Sequence, residues 1–352
     1  MEESLQARLD IKKTLSNLPM PTLIIGALWV SILIFGAYKE FSIAVLLSDT
    51  IRRFGMWGLL VLAMVPSIQS GTGPNFALPV GICSGLLALV CSIEFGFTGI
   101  MWFIVAVILA ILFGGVLGVL YGILMNAVKG SEMIIATYSG FSITYFFCIL
   151  WMSLPFRSPI MGWMLGSGLR NTIELRQLGS AQILNDFLQF EIFGVSIPTG
   201  MLLVFFACCI LVWLFFRSKM GIAISAVGAN PMFAKASGLN VDECRIIANV
   251  ISTIFGAVGI IVFAQSFGFA SLYDAPMWMA FTAAAAVLIG GATAQRSKII
   301  HVIIGTLIFQ GLLTNAPPVL NSLLPDTDLS EVIRMVVQNG IILYALTKVN
   351  RA

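Results

Sequence analysis

Charge is what this sequence has least of. Only 10% of its 352 residues are Asp, Glu, Lys or Arg, against about 25% in a soluble globular chain. The shortage runs along the whole length, so no stretch reads as a soluble domain. Histidine occurs once, at His301, which excludes the two-histidine HExxH arrangement of a zinc protease. No GxxxxGK[ST] stretch is present to hold nucleotide phosphates, and no GxSxG elbow to present a serine nucleophile. Energy for active transport would therefore have to come from another chain. The cysteines Cys83, Cys91, Cys148, Cys208, Cys209 and Cys244 have no CxxC spacing and lie in or beside apolar runs. They read as small buried hydrophobes. Acids central to a span are missing too. Glu94, Glu132, Glu243 and Asp274 all fall at span ends, so the proton relay of an ion-coupled pump has no residues to run through. The net charge of +3 is small and the basic residues are scattered, which argues against nucleic acid as a partner.

What is present is apolar length. Hydrophobic residues make up 59% of the chain, in recurring runs of about 20 residues, enough to cross a hydrocarbon core of ~30 Å. In that solvent each backbone polar group must be satisfied within its own segment, so the runs are helices. The chain is expected to be an all-α, polytopic membrane protein with about ten spans. They fall near 20–38, 54–70, 76–93, 99–126, 132–154, 197–216, 241–264, 277–293, 299–316 and 330–347. A short helical piece at 41–52 is expected to precede the second span without crossing. Residues 1–19 mix Glu2, Glu3 and Asp10 with Arg8, Lys12 and Lys13, unlike a cleavable signal. They read either as a surface-lying amphipathic helix or as a solvated cytoplasmic tail. With the N-terminus inside, alternation puts 12 lysines and arginines on the inner side and 7 on the outer. The positive-inside rule then favours both termini in the cytoplasm.

Two connections are long, an external one at 155–196 and a cytoplasmic one at 217–240. Within the second, Asn230 is placed to cap a helix that begins at Pro231 and stops at Gly238. Small residues line several spans. Gly114, Gly115, Gly118 and Gly122 recur at helical spacing, and Ala283 to Ala286 run towards Gly290 and Gly291. Such faces let helix backbones approach closely, either inside one chain or between two. A weak internal repeat relates the stretch Gln69-Ser70-Gly71 before Thr72-Gly73-Pro74-Asn75 to Gln265-Ser266-Phe267-Gly268 before a second broken stretch. The two turns are expected to face opposite sides, as interrupted segments of inverted repeats do beside a solute path. The polar groups left in the spans are uncharged. They are Gln69, Asn75, Tyr138, Tyr145, Gln265, Gln310, Asn315, Gln338 and Asn339; the expected path-lining residues are Gln69, Asn75, Gln265, Gln310 and Asn315 of these, with Tyr273 in the second broken stretch. Amides and aromatics suit a neutral polyhydroxylated solute, because a carboxylate or phosphate would want Arg or Lys. Pro317 and Pro318 are expected to end the ninth span and, with Pro325, Asp326 and Asp328, to form an outer turn.

The stretch GIAISAVGANPMFAKASGLNVDECRIIANVISTIFGAVGII at 221–261 resembles the cytoplasmic coupling segment and following span of ribose-type sugar ABC permeases. Gly228, Asn230, Ala234, Ala236, Ser237, Gly238, Asn240 and Val241 carry the likeness. Gly290, Gly291, Gly305 and Thr306 extend it downstream. The chain departs at 71–81, where GTGPNFALPVG lacks the family's acidic residue, and at Gln295-Arg296-Ser297-Lys298, which replaces a Gly-Gly turn. Nucleoside-type and autoinducer-type permeases share the scaffold. The resemblance implies a type II-like importer permease of the bacterial inner membrane, paired with an identical or related permease. It also implies two cytoplasmic ATPase subunits, an external solute-binding protein and alternating access. ATP and magnesium would sit on the ATPases, with no cofactor bound by this chain. Gly228, Asn230, Ala234, Lys235, Ser237 and Gly238 would form the ATPase-coupling site. An ATP-independent facilitator or channel is the alternative from another class, and a non-transporting scaffold a third.

Overall fold

The computed structural model describes residues 19–156, 158–162, 168–322 and scattered positions between 332 and 343. The N-terminal segment, the outer turn expected beyond Ser322 and most of the tenth span lie outside the described residues. The helices are α1 (Met20–Tyr38), α2 (Ile43–Leu62), α3 (Met64–Gln69), α4 (Leu78–Glu94), α5 (Gly99–Ala127) and α6 (Glu132–Ser153). After an irregular region come α7 (Ile183–Asp186), α8 (Thr199–Arg217), α9 (Lys219–Ala229), α10 (Pro231–Ala236), α11 (Val241–Phe267), α12 (Ala275–Ile289) and α13 (Ile299–Asn321). Taking α2 and α3 together, 7 of the described helices are long and apolar enough to cross a membrane.

The spine of the molecule is α11. It packs between α4 and α5, because both offer it glycines. A Cβ built on Gly81 would lie 2.5 Å from the Thr253 carbonyl oxygen, and one on Gly85 2.2 Å from that of Ala257. On α5, Gly118 and Gly122 would each put a Cβ 3.0 Å from an α11 Cα, of Val250 and Ile246 respectively. The GxxxG spacing of α5 is therefore used within the chain. A second tight crossing joins α12 to α13, where a Cβ on Gly305 would lie 1.9 Å from the Ala286 carbonyl oxygen.

Three boundaries differ from expectation. Residues 43–62 form one continuous helix, so no separate piece precedes the second span. Arg53, whose charge invites a break there, lies over the Phe267 ring at 5.2 Å. The helix instead breaks at Ala63, and the chain beyond α3 returns through a buried, non-helical stretch at 70–77. Irregular backbone at membrane depth must be buried in protein with its polar groups paired. Here Ser67 Oγ donates to the Gly73 carbonyl (2.8 Å) and meets Thr72 Oγ1 (2.9 Å), while Ser70 Oγ meets Thr72 Oγ1 (3.0 Å). Finally, Pro317 and Pro318 lie inside α13, which runs on for another turn to Asn321.

The long connection between α6 and α8 is stitched onto the far end of α11. Strand β1 (Thr172–Glu174) pairs antiparallel with β4 (Phe269–Ser271), with Thr172 opposite Ser271. Strands β2 (Phe190–Ile192) and β3 (Val195–Ile197) form a separate hairpin directly before α8.

Candidate translocation and coupling site

The connection at 217–240 folds as two short helices. Ser218 caps α9 by accepting from the Gly221 N–H at 3.3 Å. Asn230 caps α10, its Oδ1 accepting from the Phe233 N–H at 3.0 Å, with Pro231 in the first turn. The stop is a Schellman arrangement. The Gly238 N–H donates to the Lys235 carbonyl (3.1 Å) and the Leu239 N–H to that of Ala234 (3.0 Å), with Gly238 at φ 82°. Ala234 is buried with Ile224, Val227, Cys244 and Ala248 in a small core that fixes α9 and α10 to the first turns of α11. Lys235, Ser237 and Gly238 face outward. So do Met232 and Phe233, 85% and 69% exposed, two large apolar side chains held up by a capped turn of helix. Sequence reading missed them, although their place directly after the Asn230-Pro231 start was the available signal. Gly238→Val puts a β-branched residue into a left-handed backbone. About 1–2 kcal/mol of local strain follows, and the expected result is a frayed α10, read as faster amide hydrogen exchange across 231–239.

Two contacts lead from this end into the helices. Gly228 closes on the end of α3, where a Cβ on it would lie 2.1 Å from the Gln69 carbonyl oxygen. In addition, Arg245 Nη2 bonds Glu132 Oε1 at 2.7 Å, with both side chains largely buried. This pair ties the start of α11 to the first residue of α6. In the sequence Glu132 is only a charge at a span end, because nothing in a single sequence brings positions 132 and 245 together. Nearby, Lys129 pairs with Asp242 in a solvated ion pair.

The expected path-lining residues fall at different places. Gln69, half-buried, donates its amide to the Ser297 carbonyl and so holds the 291–298 loop against α3. Asn75 is buried in the unwound stretch and donates to Ser252 Oγ at 2.8 Å, which in turn donates to the Ala63 carbonyl at the helix break (2.6 Å). Gln265 is wholly buried at the opposite end of α11, where Oε1 accepts from the Leu184 N–H at 3.2 Å and Nε2 donates to the Val262 carbonyl at 3.2 Å. Tyr273 donates to the Leu169 carbonyl at 3.1 Å. Burial first, and the Cys148 thiol second, raise its phenol pKa above the ordinary value, so it stays protonated as a donor. Asn315 donates to Thr50 Oγ1 at 3.0 Å, joining α13 to α2. Gln310 is buried with Nε2 unpaired among the described residues. The broken segments that carry Gln69 and Gln265 do lie at opposite ends of α11, one beside α9 and the other beside α7.

The polar residues that reach the outside of the bundle are on α6. Tyr138 and Tyr145 are 67% and 56% exposed, Ser142 is exposed and Ser139 half-exposed. They recur at helical spacing on one face, and none of the four hydroxyls has a hydrogen-bond partner among the described residues. By contrast, Thr137 and Thr144 on the same helix bond back to carbonyls four residues earlier (2.9 and 2.8 Å). The exposed faces of α5 and α8 are aliphatic or aromatic, for example Ile104, Ile108, Ile111 and Val116 on α5 and Leu203, Ile210 and Leu214 on α8. A hydroxyl left unpaired in hydrocarbon costs about 1–3 kcal/mol or more, and the exposed side of α6 mixes these hydroxyls with apolar Ile134, Phe146, Ile149 and Met152. A groove of about 480 Å³ runs between α5 and α6; its walls are mostly apolar, with Leu117, Leu124, Ile135 and Phe146 beside the hydroxyls of Tyr138 and Ser142.

A bundle in which 7 of the described helices are long and apolar enough to cross a membrane is the architecture of a polytopic membrane protein. The model of the family described as branched-chain amino acid transport system / permease component matches residues 46–346, and the chain belongs to that family. It is similar to the galactofuranose transporter permease protein of Escherichia coli (strain K12), 33% identical over 120 residues that cover 32% of this chain and 35% of that protein. It is also similar to the nucleoside ABC transporter permease protein of Lactococcus lactis subsp. cremoris (strain MG1363), 24% identical over 224 residues that cover 62% of this chain and 57% of that protein. The matched stretches thus span less than two thirds of either relative. No solved structure matches the chain significantly.

Proposed function

We propose that this chain is one membrane-spanning subunit of a bacterial ABC importer and moves a neutral, hydroxylated solute inward by alternating access. The observation that carries this reading is the α9–α10 elbow, whose Met232 and Phe233 stand exposed on a capped helix. Paired with the absence of any nucleotide-binding motif, it supports a chain driven by a separate ATPase that receives those side chains. An external solute-binding protein would deliver the solute to the opposite face. The solute class is supported by the two relatives, whose names specify a furanose sugar and a nucleoside. The uncharged hydroxyl face of α6 supports it too. A monosaccharide is favoured and a nucleoside is the next candidate. The path runs where two permeases meet, as two-fold pairing brings related surfaces around one axis, and the α6 face borders it.

The test is uptake by the complex in proteoliposomes. ATP-dependent accumulation of a radiolabelled pentose, hexose or nucleoside is expected, and equilibration without ATP would identify a facilitator instead. The double variant Tyr138→Phe/Tyr145→Phe keeps both rings and removes two hydroxyls. It is expected to leave assembly and basal ATP hydrolysis unchanged and to lower uptake several-fold. Wild-type uptake by this variant would remove α6 from the path.

A further inference from the structure

We propose that residues 187–193 form a wedge inserted into the outer-leaflet acyl boundary, so that the β2–β3 hairpin anchors the permease laterally in the lipid. Phe187, Leu188, Phe190 and Ile192 are 45–61% exposed, and Phe193 at the hairpin tip is 100% exposed. Two of these residues also hold backbone conformations that large side chains rarely adopt, Leu188 at φ 54° and Phe193 at φ 52°. Phe193-Gly194 forms the two-residue turn of the hairpin, a position that selects Asn, Asp or Gly. A fully exposed phenylalanine there gains nothing from the rest of the chain. Strained residues persist when something else makes use of them.

The hairpin's place in the fold commits the occupant to lipid. It leads through Pro198 straight into α8, whose 19 residues rise about 28 Å, one hydrocarbon thickness, before reaching the elbow. The hairpin therefore sits at the opposite headgroup boundary. It lies beside the first turns of α2 rather than above the bundle. Gly194 packs against Ala44, and the Ser196 N–H donates to Ser48 Oγ at 2.8 Å. Its apolar surface continues into the exposed Leu203, Phe206 and Ile210 of α8 and Val45 of α2. Asp186 and Glu191 are its exposed charged residues. Phe and Leu side chains flanked by polar groups suit burial at the headgroup–acyl boundary, and two acids disfavour anionic headgroups.

The experiment uses the assembled complex in phosphatidylethanolamine–phosphatidylglycerol nanodiscs. Phe193→p-benzoylphenylalanine is irradiated and the permease chain weighed by mass spectrometry. The same label at Gln177, exposed on the outer loop, serves as the aqueous control. The expected result is a mass gain of one phospholipid at 193 and none at 177. A cross-link from 193 to a second permease or to the solute-binding protein, or no adduct, overturns the proposal. A second variant, Phe193→Gly, suits the positive-φ turn and folds. It is expected to lower the lipid adduct formed by a label at Phe190 several-fold, and an unchanged adduct overturns the wedge.

Discussion

Glu132→Gln will destabilise the permease by about 3–5 kcal/mol, the cost of leaving one charge of a buried pair uncompensated. Arg245 is 7% exposed and bonds Glu132 at 2.7 Å, while the other Glu132 oxygen accepts from the Gly130 N–H at 2.8 Å. Removing the carboxylate charge strands a guanidinium whose Nε already lacks a partner among the described residues. Thermal unfolding of the purified complex measures the loss. The double variant Glu132→Leu/Arg245→Met separates stability from coupling. Replacing both members of a buried pair with apolar groups is often neutral or stabilising, so the melting temperature should return towards wild type. If the pair transmits movement from the elbow to α6, solute-stimulated ATP hydrolysis stays low in this refolded background. Full recovery of stimulation along with stability would mean that the pair serves only the fold.

The second large effect is expected at Gly228. Its absent side chain is the space in which α9 meets the end of α3. A Cβ would stand 2.1 Å from the Gln69 carbonyl oxygen and 3.0 Å from the Gly71 nitrogen. Both are backbone atoms, so no side chain can swing away, and even Gly228→Ala must push the two elements apart. Overpacking of this kind costs about 1–3 kcal/mol, and here it falls between the elbow and the unwound 70–77 stretch. Uptake is expected to fall at least tenfold in Gly228→Ala while the ATPase still hydrolyses ATP at its basal rate. Gly238→Ala is the matched control. Nothing lies within 4 Å of its Cβ position, so it carries backbone strain without a clash and should be the milder variant. Equal uptake by the two alanine variants would show that the Gly228 contact is not a coupling contact.

The sequence by itself determined that this chain lives in a membrane, because ten apolar runs against 10% charge leave a folded chain no aqueous alternative. It also determined the elbow. Capping is local chemistry, and Asn230, Pro231 and Gly238 specify start and stop within nine residues. The periodic glycines of α5 announced a close helix contact without naming the partner. Only the tertiary structure decided that the partner is α11 of the same chain.

How each intramembrane amide is used was less legible, and the reason is physical. An amide in a span is equally useful for bonding another helix or for facing a solute, and composition does not distinguish the two. Asn75 and Gln265 stand out in the sequence for their place beside broken segments. The fold buries both, bonding one to Ser252 and the other to Leu184. Tyr138, Ser142 and Tyr145 sit in an unbroken helix and gave no such sign, yet theirs is the hydroxyl face the bundle leaves outward. Which side of a helix faces out depends on every neighbour that packs against it. Likewise the bond between Glu132 and Arg245 spans 113 residues. Long-range pairing of this kind is set by how α6 and α11 are held, which local propensity does not encode.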